Sequence, residues 1–343
     1  MLRHPRKDTS RRSSGYRKRG PGRKPIIFRV APAAHRARAF HGRRSPTTRQ
    51  WVLLAALAPA LGLVAARRRL HVPPPVTLAL VSAAPLAVAA ATPRRPWRYA
   101  AVGAVYMWCF TVTWTLPYEQ PEKLRRRLRI RYPVRIDSVL GVGVPPTLRL
   151  QRALRDPPRV TALDRAVTLA YASWFVPHAA LAYLLFRHEE YVPRAAGRLA
   201  AAYHLTIPFY YLMPTAPPWW ASEEAGEMDG QVERVRRHVL NDLFGKQRQT
   251  SDQSPGNPWA SMPSDHVASA AITAMGLAEV GPVYGILGWS YVALASFSVV
   301  YLGEHYLVDA LVGLAIAEGI RRGEATVAPL VHRFVHELNR FGV

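Results

Sequence analysis

The chain has 343 residues, 49% of them hydrophobic, and a formal net charge of +24. This combination fits apolar spans joined by basic connectors, in one large domain or two small ones. The single cysteine, Cys109, excludes a disulfide within the chain and gives no sign of an oxidising compartment.

Residues 1–50 carry sixteen Arg or Lys against one acid, Asp8, with no apolar periodicity. They read as a basic, disordered tail. Residues 19–25 are similar to a minor-groove hook for A·T-rich DNA. The preferred expectation is a cytoplasmic tail that attracts anionic lipids and helps set topology, with no nucleic-acid partner. Its length and charge argue against a cleaved secretory signal.

N-terminal spans are expected over 51–116. Residues 51–66 and 76–91 are apolar and each is followed by arginines. Both are short against the ~20 residues that cross a hydrocarbon core, so they read as two spans or one hairpin. Residues 99–116 form a stronger span. Residues 117–162 are too polar to cross. There Lys123, Arg125, Arg126, Arg127, Arg129, Arg131 and Arg135 alternate with Leu124, Leu128, Ile130 and Val134, a pattern that predicts an interfacial helix touching anionic lipids.

Two further spans are predicted over 167–186 and 195–213. They hold His178 and His204, each expected to be hydrogen-bonded within the bundle. Residues 214–260 form a long polar loop that opens with Pro214-Thr-Ala-Pro-Pro-Trp-Trp220. This suits a stiff turn at the membrane–water boundary. Over 231–243 the loop takes a helical pattern bearing Arg234, Arg236, Arg237 and His238. A loop of this length reads as a lid or headgroup site.

The chemistry gathers over 261–309, inside a catalytic membrane domain expected over 163–322. Ser261-Met-Pro-Ser-Asp-His266 precedes an apolar run over 267–280. Gly281-Pro282 breaks that run, and a second covers 283–302. If both runs cross, His266 and His305 return to one face. His305 and Asp309 are four apart and share a helix face, where the carboxylate can orient the imidazole and support its cation. Such groups at span ends are functional candidates. Residues 310–320 complete a final helix with a small-residue stripe at Gly313 and Ala317. Residues 323–343 read as a short amphipathic tail.

Pro263-Ser-Asp-His266 resembles the Pro-Ser-Gly-His motif of the type 2 phosphatidic acid phosphatase superfamily. Tyr301-Leu-Gly-Glu-His305-Tyr-Leu-Val-Asp309 resembles the end of its Ser-Arg-x5-His-x3-Asp motif. Ser-Met-Pro-Ser-x-His, with Thr215-Ala-Pro-Pro-Trp219 upstream and the segment 135–154, is similar to the inositol phosphorylceramide synthase-like branch and its bacterial relatives. The resemblance reaches back to about residue 131.

The resemblance implies an all-α, polytopic membrane helical bundle of about six to eight transmembrane helices with a phosphatidic acid phosphatase-like core, multi-pass in the cell membrane. It implies a lipid phosphatase or phosphotransferase acting on a lipid phosphate, with water or an alcohol such as inositol as acceptor. His305 would be the nucleophile that forms a phosphohistidine, Asp309 its orienter and His266 the general acid. Ser264 and Asp265, at the head of the following helix, would border the phosphate. No metal or other cofactor is required. The sequence departs from the family at Val299, where the motif has Arg, at Asp265, where it has Gly, and in lacking the Lys-x6-Arg-Pro motif. Lys246 and Arg248 are the nearest candidates to supply the missing charge. The alternative is a catalytically degenerate protein that binds lipid headgroups. With seven or eight spans and the catalytic loop outside, the basic stretch 123–159 falls outside too, against the positive-inside tendency.

Overall fold

A computed structural model describes residues 48–92, 96–245 and 256–340. The expected basic tail up to residue 47, and both Lys246 and Arg248, lie outside the described residues. The described chain is helical, with isolated β-bridges but no strand.

Three helices, α1 (Thr48–Ala65), α2 (Pro74–Ala91) and α3 (Pro96–Thr115), pack in sequence. Val64, Val81, Ala84, Val88, Cys109 and Val112 form their shared core. The run over 51–66 and the run over 76–91 are thus separate helices laid side by side. Arg67 and Arg68, just after α1, pair with Glu119 just beyond α3.

Three short helices and one bent pair follow. They are α4 (Pro121–Arg125), α5 (Arg131–Leu140), α6 (Pro146–Leu154), and then α7 (Ala162–Ala172) with α8 (Val176–Arg187), bent by 51° at their join. The rest comprises α9 (Val192–Leu212), α10 (Pro218–Glu223), α11 (Val235–Phe244), α12 (Asp265–Val280), α13 (Pro282–Tyr301) and α14 (Leu307–Arg340). The last helix runs through the boundary expected at residue 322, so the anticipated tail begins as its continuation.

By length and composition, three described segments suffice to cross a membrane: Pro74–Ala91, Ala100–Glu119 and Pro282–Tyr301. The bent pair α7–α8 makes a fourth if it is one span. The expectation of six to eight included α9, α12 and α14. Of these, α12 has only 16 residues, α9 carries two arginines, and α14 carries both arginines and glutamates.

Those three helices nevertheless form the bundle with α13. Leu199, Ala202, Tyr203, Ala271, Ile272, Val292 and Ala317 are among its core. The backbones approach to contact. A methyl group at Gly288 would lie 2.7 Å from Ala274 Cα, and one at Gly313 would lie 2.6 Å from the Ser264 carbonyl. The small-residue stripe on α14 therefore presses against the head of α12.

At the far end of α12, Arg198 is buried between Glu279 at 2.8 Å and Glu324 at 2.6 Å. Arg194 bonds the same two carboxylates. This cluster ties α9, α12 and α14 together.

The segment expected at the interface is built onto the heads of α12 and α14. Arg129, Thr215 and Ala260 form a parallel bridge ladder. The Arg129 N–H donates to the Pro214 carbonyl at 2.8 Å, and the Ser261 N–H donates to the Thr215 carbonyl at 3.3 Å. Asp137 of α5 is fully buried, and its carboxylate accepts the Leu307 N–H at 2.8 Å and the Val308 N–H at 2.9 Å. It thus caps the start of α14 across the fold. Burial pushes the Asp137 carboxyl up to about 6, against the pull of those two donors.

Two predictions follow from these contacts. Arg198→Met leaves two carboxylates sharing Arg194. Removing one partner of a buried pair costs about 3–5 kcal/mol, and partial exposure of both glutamates reduces this to about 2 kcal/mol. The unfolding midpoint in detergent should fall; an unchanged midpoint rejects the staple. The folded Asp137 value lies above the ordinary 3.8, so its contribution to stability is present at low pH and lost as pH rises through about 6. The stability difference between the protein and Asp137→Asn should therefore be larger at about pH 5 than at about pH 7.5. A constant difference would show that Asp137 is ionised throughout.

Candidate active site

Two helix heads make the site. His266 lies in the first turn of α12, and His305 lies in the short connection between α13 and α14. Their rings come to 5.8 Å between centroids, inclined at 63°. α12 and α13 pack together as an out-and-back pair, and both histidines arrive at one end.

The tautomer of His305 follows from its neighbours. Nδ1 lies 2.8 Å from the Ser261 carbonyl oxygen. A carbonyl has no hydrogen to give, so Nδ1 carries the proton and Nε2 keeps a lone pair. Nδ1 is also 3.5 Å from Asp309 Oδ2. That same oxygen accepts the Ser261 hydroxyl at 2.5 Å and the Tyr306 N–H at 3.0 Å. Asp309 is wholly buried and His305 nearly so. The Ser264 N–H donates to the Asp309 carbonyl at 3.0 Å, joining the head of α12 to the first turn of α14.

His266 stacks on Tyr171 of α7, with ring centroids 4.6 Å apart. The Arg236 guanidinium carbon sits 5.6 Å from the centre of the same Tyr171 ring. Arg236 bonds Glu304, the residue before His305, through Nε. Arg234 bonds the same carboxylate at 2.8 Å. Burial alone would raise the Glu304 carboxyl, but Arg236 and Arg234 overcome it and hold it down at about 2. Glu304 is therefore anionic at any working pH. Burial works against the charge on Arg236, yet Glu304 raises its guanidinium further.

The Thr215–Trp219 turn supports this charge. The Trp219 N–H donates to the Gly303 carbonyl at 3.1 Å. Its indole carries the guanidinium of Arg234 at 4.3 Å and that of Arg237 at 5.3 Å, both over the ring. Gln151 of α6 braces the other side, donating to the Tyr301 carbonyl at 2.8 Å and to the Glu233 carbonyl at 3.0 Å.

The structure thus brings His266, His305 and Asp309 together. Ser264 is buried behind them, with no hydrogen-bond partner for its hydroxyl among the described residues. Asp265 begins α12, where the helix dipole favours an acid. Val299 packs in the core with Val267, Val300 and Ala310, where an arginine would be buried without a partner. His178 bonds the Tyr203 hydroxyl at 2.9 Å within the bundle, as expected, whereas His204 is exposed on α9 and contacts the Ala200 carbonyl one turn back at 2.7 Å and the Tyr106 hydroxyl of α3 at 3.1 Å.

Sequence reasoning read the loop bearing Arg234 and Arg236 as a lid or headgroup site without singling out either residue, and gave no site role to Glu304, Tyr171 or Asp137. The charged helical pattern over 231–243 was a signal for the two arginines. Nothing local marked the others.

Comparison with curated proteins and with solved structures finds no match. A family profile, that of the PAP2 superfamily, matches residues 134–320. That span runs from the head of α5 to the middle of α14 and includes both histidines and Asp309. It is more than half of a chain that carries several membrane-length apolar helices, and the chain belongs to the PAP2 superfamily of phosphatase-type membrane proteins.

Proposed function

We propose that this protein is a multi-pass enzyme of the cell membrane that transfers phosphoryl groups from a lipid phosphate through a phosphohistidine at His305. The observation that carries the reading is the Nδ1 hydrogen bond of His305 to the Ser261 carbonyl, which leaves Nε2 as the nucleophile.

In the first step Nε2 attacks phosphorus and the bond from phosphorus to the lipid oxygen breaks. His266 gives its proton to the departing alkoxide. Asp309 supports the positive charge that develops on His305, as an orienting carboxylate does. In the second step His266 takes a proton from water or an alcohol, whose oxygen attacks phosphorus and breaks the phosphorus–nitrogen bond. Water makes the enzyme a phosphatase. An alcohol such as inositol makes it a phosphotransferase, the outcome favoured by the likeness to the inositol phosphorylceramide synthase branch.

The non-bridging oxygens need positive charge. Arg236 and Arg234 supply it, in place of the arginine absent at Val299. Arg236 offers Glu304 its Nε and keeps its terminal N–H groups for phosphate, while Arg234 adds its charge beside it. The first-turn N–H groups of α12, beside Ser264 and Asp265, add donors. Lys246 and Arg248, proposed from sequence for the same task, follow α11 in the chain.

The test is phosphate release from a short-chain lipid phosphate by detergent-purified protein in EDTA. His305→Ala should abolish release, and the protein should incorporate an acid-labile, base-stable phosphoryl group that the variant lacks. Arg236→Ala should lower the rate about 10²-fold, the usual loss for one preorganised charge contact. Equal background in protein and His305→Ala, with and without inositol, would sink the enzymatic reading and leave a headgroup-binding protein. Full activity in Arg236→Ala would return the phosphate site to Lys246 and Arg248.

A further inference from the structure

The turn between α5 and α6 exposes an apolar tip. On α5, Pro133, Val134 and Asp137 are buried, and Val134 belongs to the cluster that contains Tyr306. Ile136, Val139 and Leu140 occupy the other face and are exposed, Val139 by 79%. Val142, in the turn itself, is 88% exposed. Four apolar side chains at helical spacing and turn would make a costly surface in water.

The tip is rigid. The Gly141 N–H donates to the Asp137 carbonyl at 2.8 Å and the Gly143 N–H to the Ser138 carbonyl at 2.7 Å. Val142 has φ of +52°, a left-handed conformation that a β-branched residue adopts only under constraint. A polar turn would place Gly or Asn there. The chain instead holds a valine outward.

Its surroundings are basic. Residues 123–155 contain ten Arg or Lys and one acid, the buried Asp137. Arg135 and Arg149 are exposed beside the tip, and Arg149 donates to the Gly141 carbonyl within the turn. The hairpin also sits at the heads of the bundle helices. Asp137 fixes α5 to the first turn of α14, and Leu150 of α6 packs on the cluster of Val267, Val299, Val300 and Ala310 at the ends of the bundle helices.

We propose that the α5–α6 hairpin inserts its tip into the adjacent lipid leaflet. Ile136, Val139, Leu140 and Val142 enter the boundary between headgroups and acyl chains, while Arg135 and Arg149 meet the phosphates of anionic lipids. Because Asp137 lies on the same helix, lipid engagement also steadies the cap on the helix that carries Asp309. The insertion needs the protein in a bilayer and is independent of its chemistry.

The test places an environment-sensitive fluorophore on Val142→Cys in proteoliposomes of equal parts phosphatidylcholine and phosphatidylglycerol. Cys109 is buried, and labelled wild-type protein serves as the blank. Ala225→Cys, exposed in the polar loop on the same end, is the aqueous reference. The Val142 probe should emit at shorter wavelength and be quenched several-fold more than the Ala225 probe by lipid spin-labelled near the headgroup end of the acyl chain. Equal quenching at the two positions would overturn the proposal. Val139→Asp, also fully surface-directed, should reduce quenching of the Val142 probe; if it does not, the apolar face is not what holds the tip in lipid. Strong quenching in a preparation without phosphate release would keep the insertion and reject the enzymatic reading.

Discussion

Asp309 is a carboxylate with no access to solvent, held by a serine hydroxyl, a backbone N–H and the imidazole one helical turn before it. A charge in that position is stable only while its partners stay in place, since removing one from a buried pair costs about 3–5 kcal/mol. Ser261 belongs to the strand-like approach to α12, Tyr306 and His305 to the approach to α14. The carboxylate therefore welds two helix heads, and the histidine pair is a consequence of the weld. The close approach of Gly313 to the Ser264 carbonyl serves the same junction. So does Asp137, which satisfies the two N–H groups that the start of α14 would otherwise leave open.

Positive charge reaches this junction by an unusual route. A charge on α13 at position 299 would sit in the core, among Val267, Val300 and Ala310. The arginines come instead from the loop before α11 and from α11 itself. Trp219 orients Arg234 through its ring, and Glu304 gathers both guanidiniums next to His305. Glu304 neutralises one of the two charges while fixing their geometry. The two guanidiniums beside His305 are thus held in place by fixed partners rather than left as mobile side chains, so little ordering would remain for an anion that bound there.

The local part of this design was legible in the sequence. The four-residue spacing of His305 and Asp309 follows from helix geometry, and two apolar runs broken at Gly281-Pro282 imply a crossing and a return. Long-range contacts were not legible, because they leave no period. Asp137 lies far from Leu307 in sequence, and nothing in its own neighbourhood marks it as a cap. Glu304 looks like an exposed acid until Arg234 and Arg236 are seen around it. The span count also resisted reading. Charge on α9 and α14 lowers their hydropathy, yet Arg194 and Arg198 neutralise Glu279 and Glu324 within the bundle, which a sum over residues does not register.

The basic stretch after α3 raises a conflict of topology that the contacts resolve. Arg67 and Arg68 bond Glu119, so the end of α1 and the end of α3 share one side. That side is the catalytic one, because the Asn257 side chain reaches the Trp114 carbonyl and Tyr118 packs on Trp259. A helix of 18 residues spans about 27 Å at 1.5 Å per residue. The start of α1 therefore lies at the other end, and the arginines of α4 to α6 gather opposite it. The positive-inside tendency would distribute such charge differently, but it acts on free loops during insertion. This segment is not free: Arg129 is laddered to Thr215 and Ala260, and Asp137 is built into α14. Its place is dictated by the catalytic junction. Its charge is gathered at that junction by these contacts, whatever the charge of a free loop would favour.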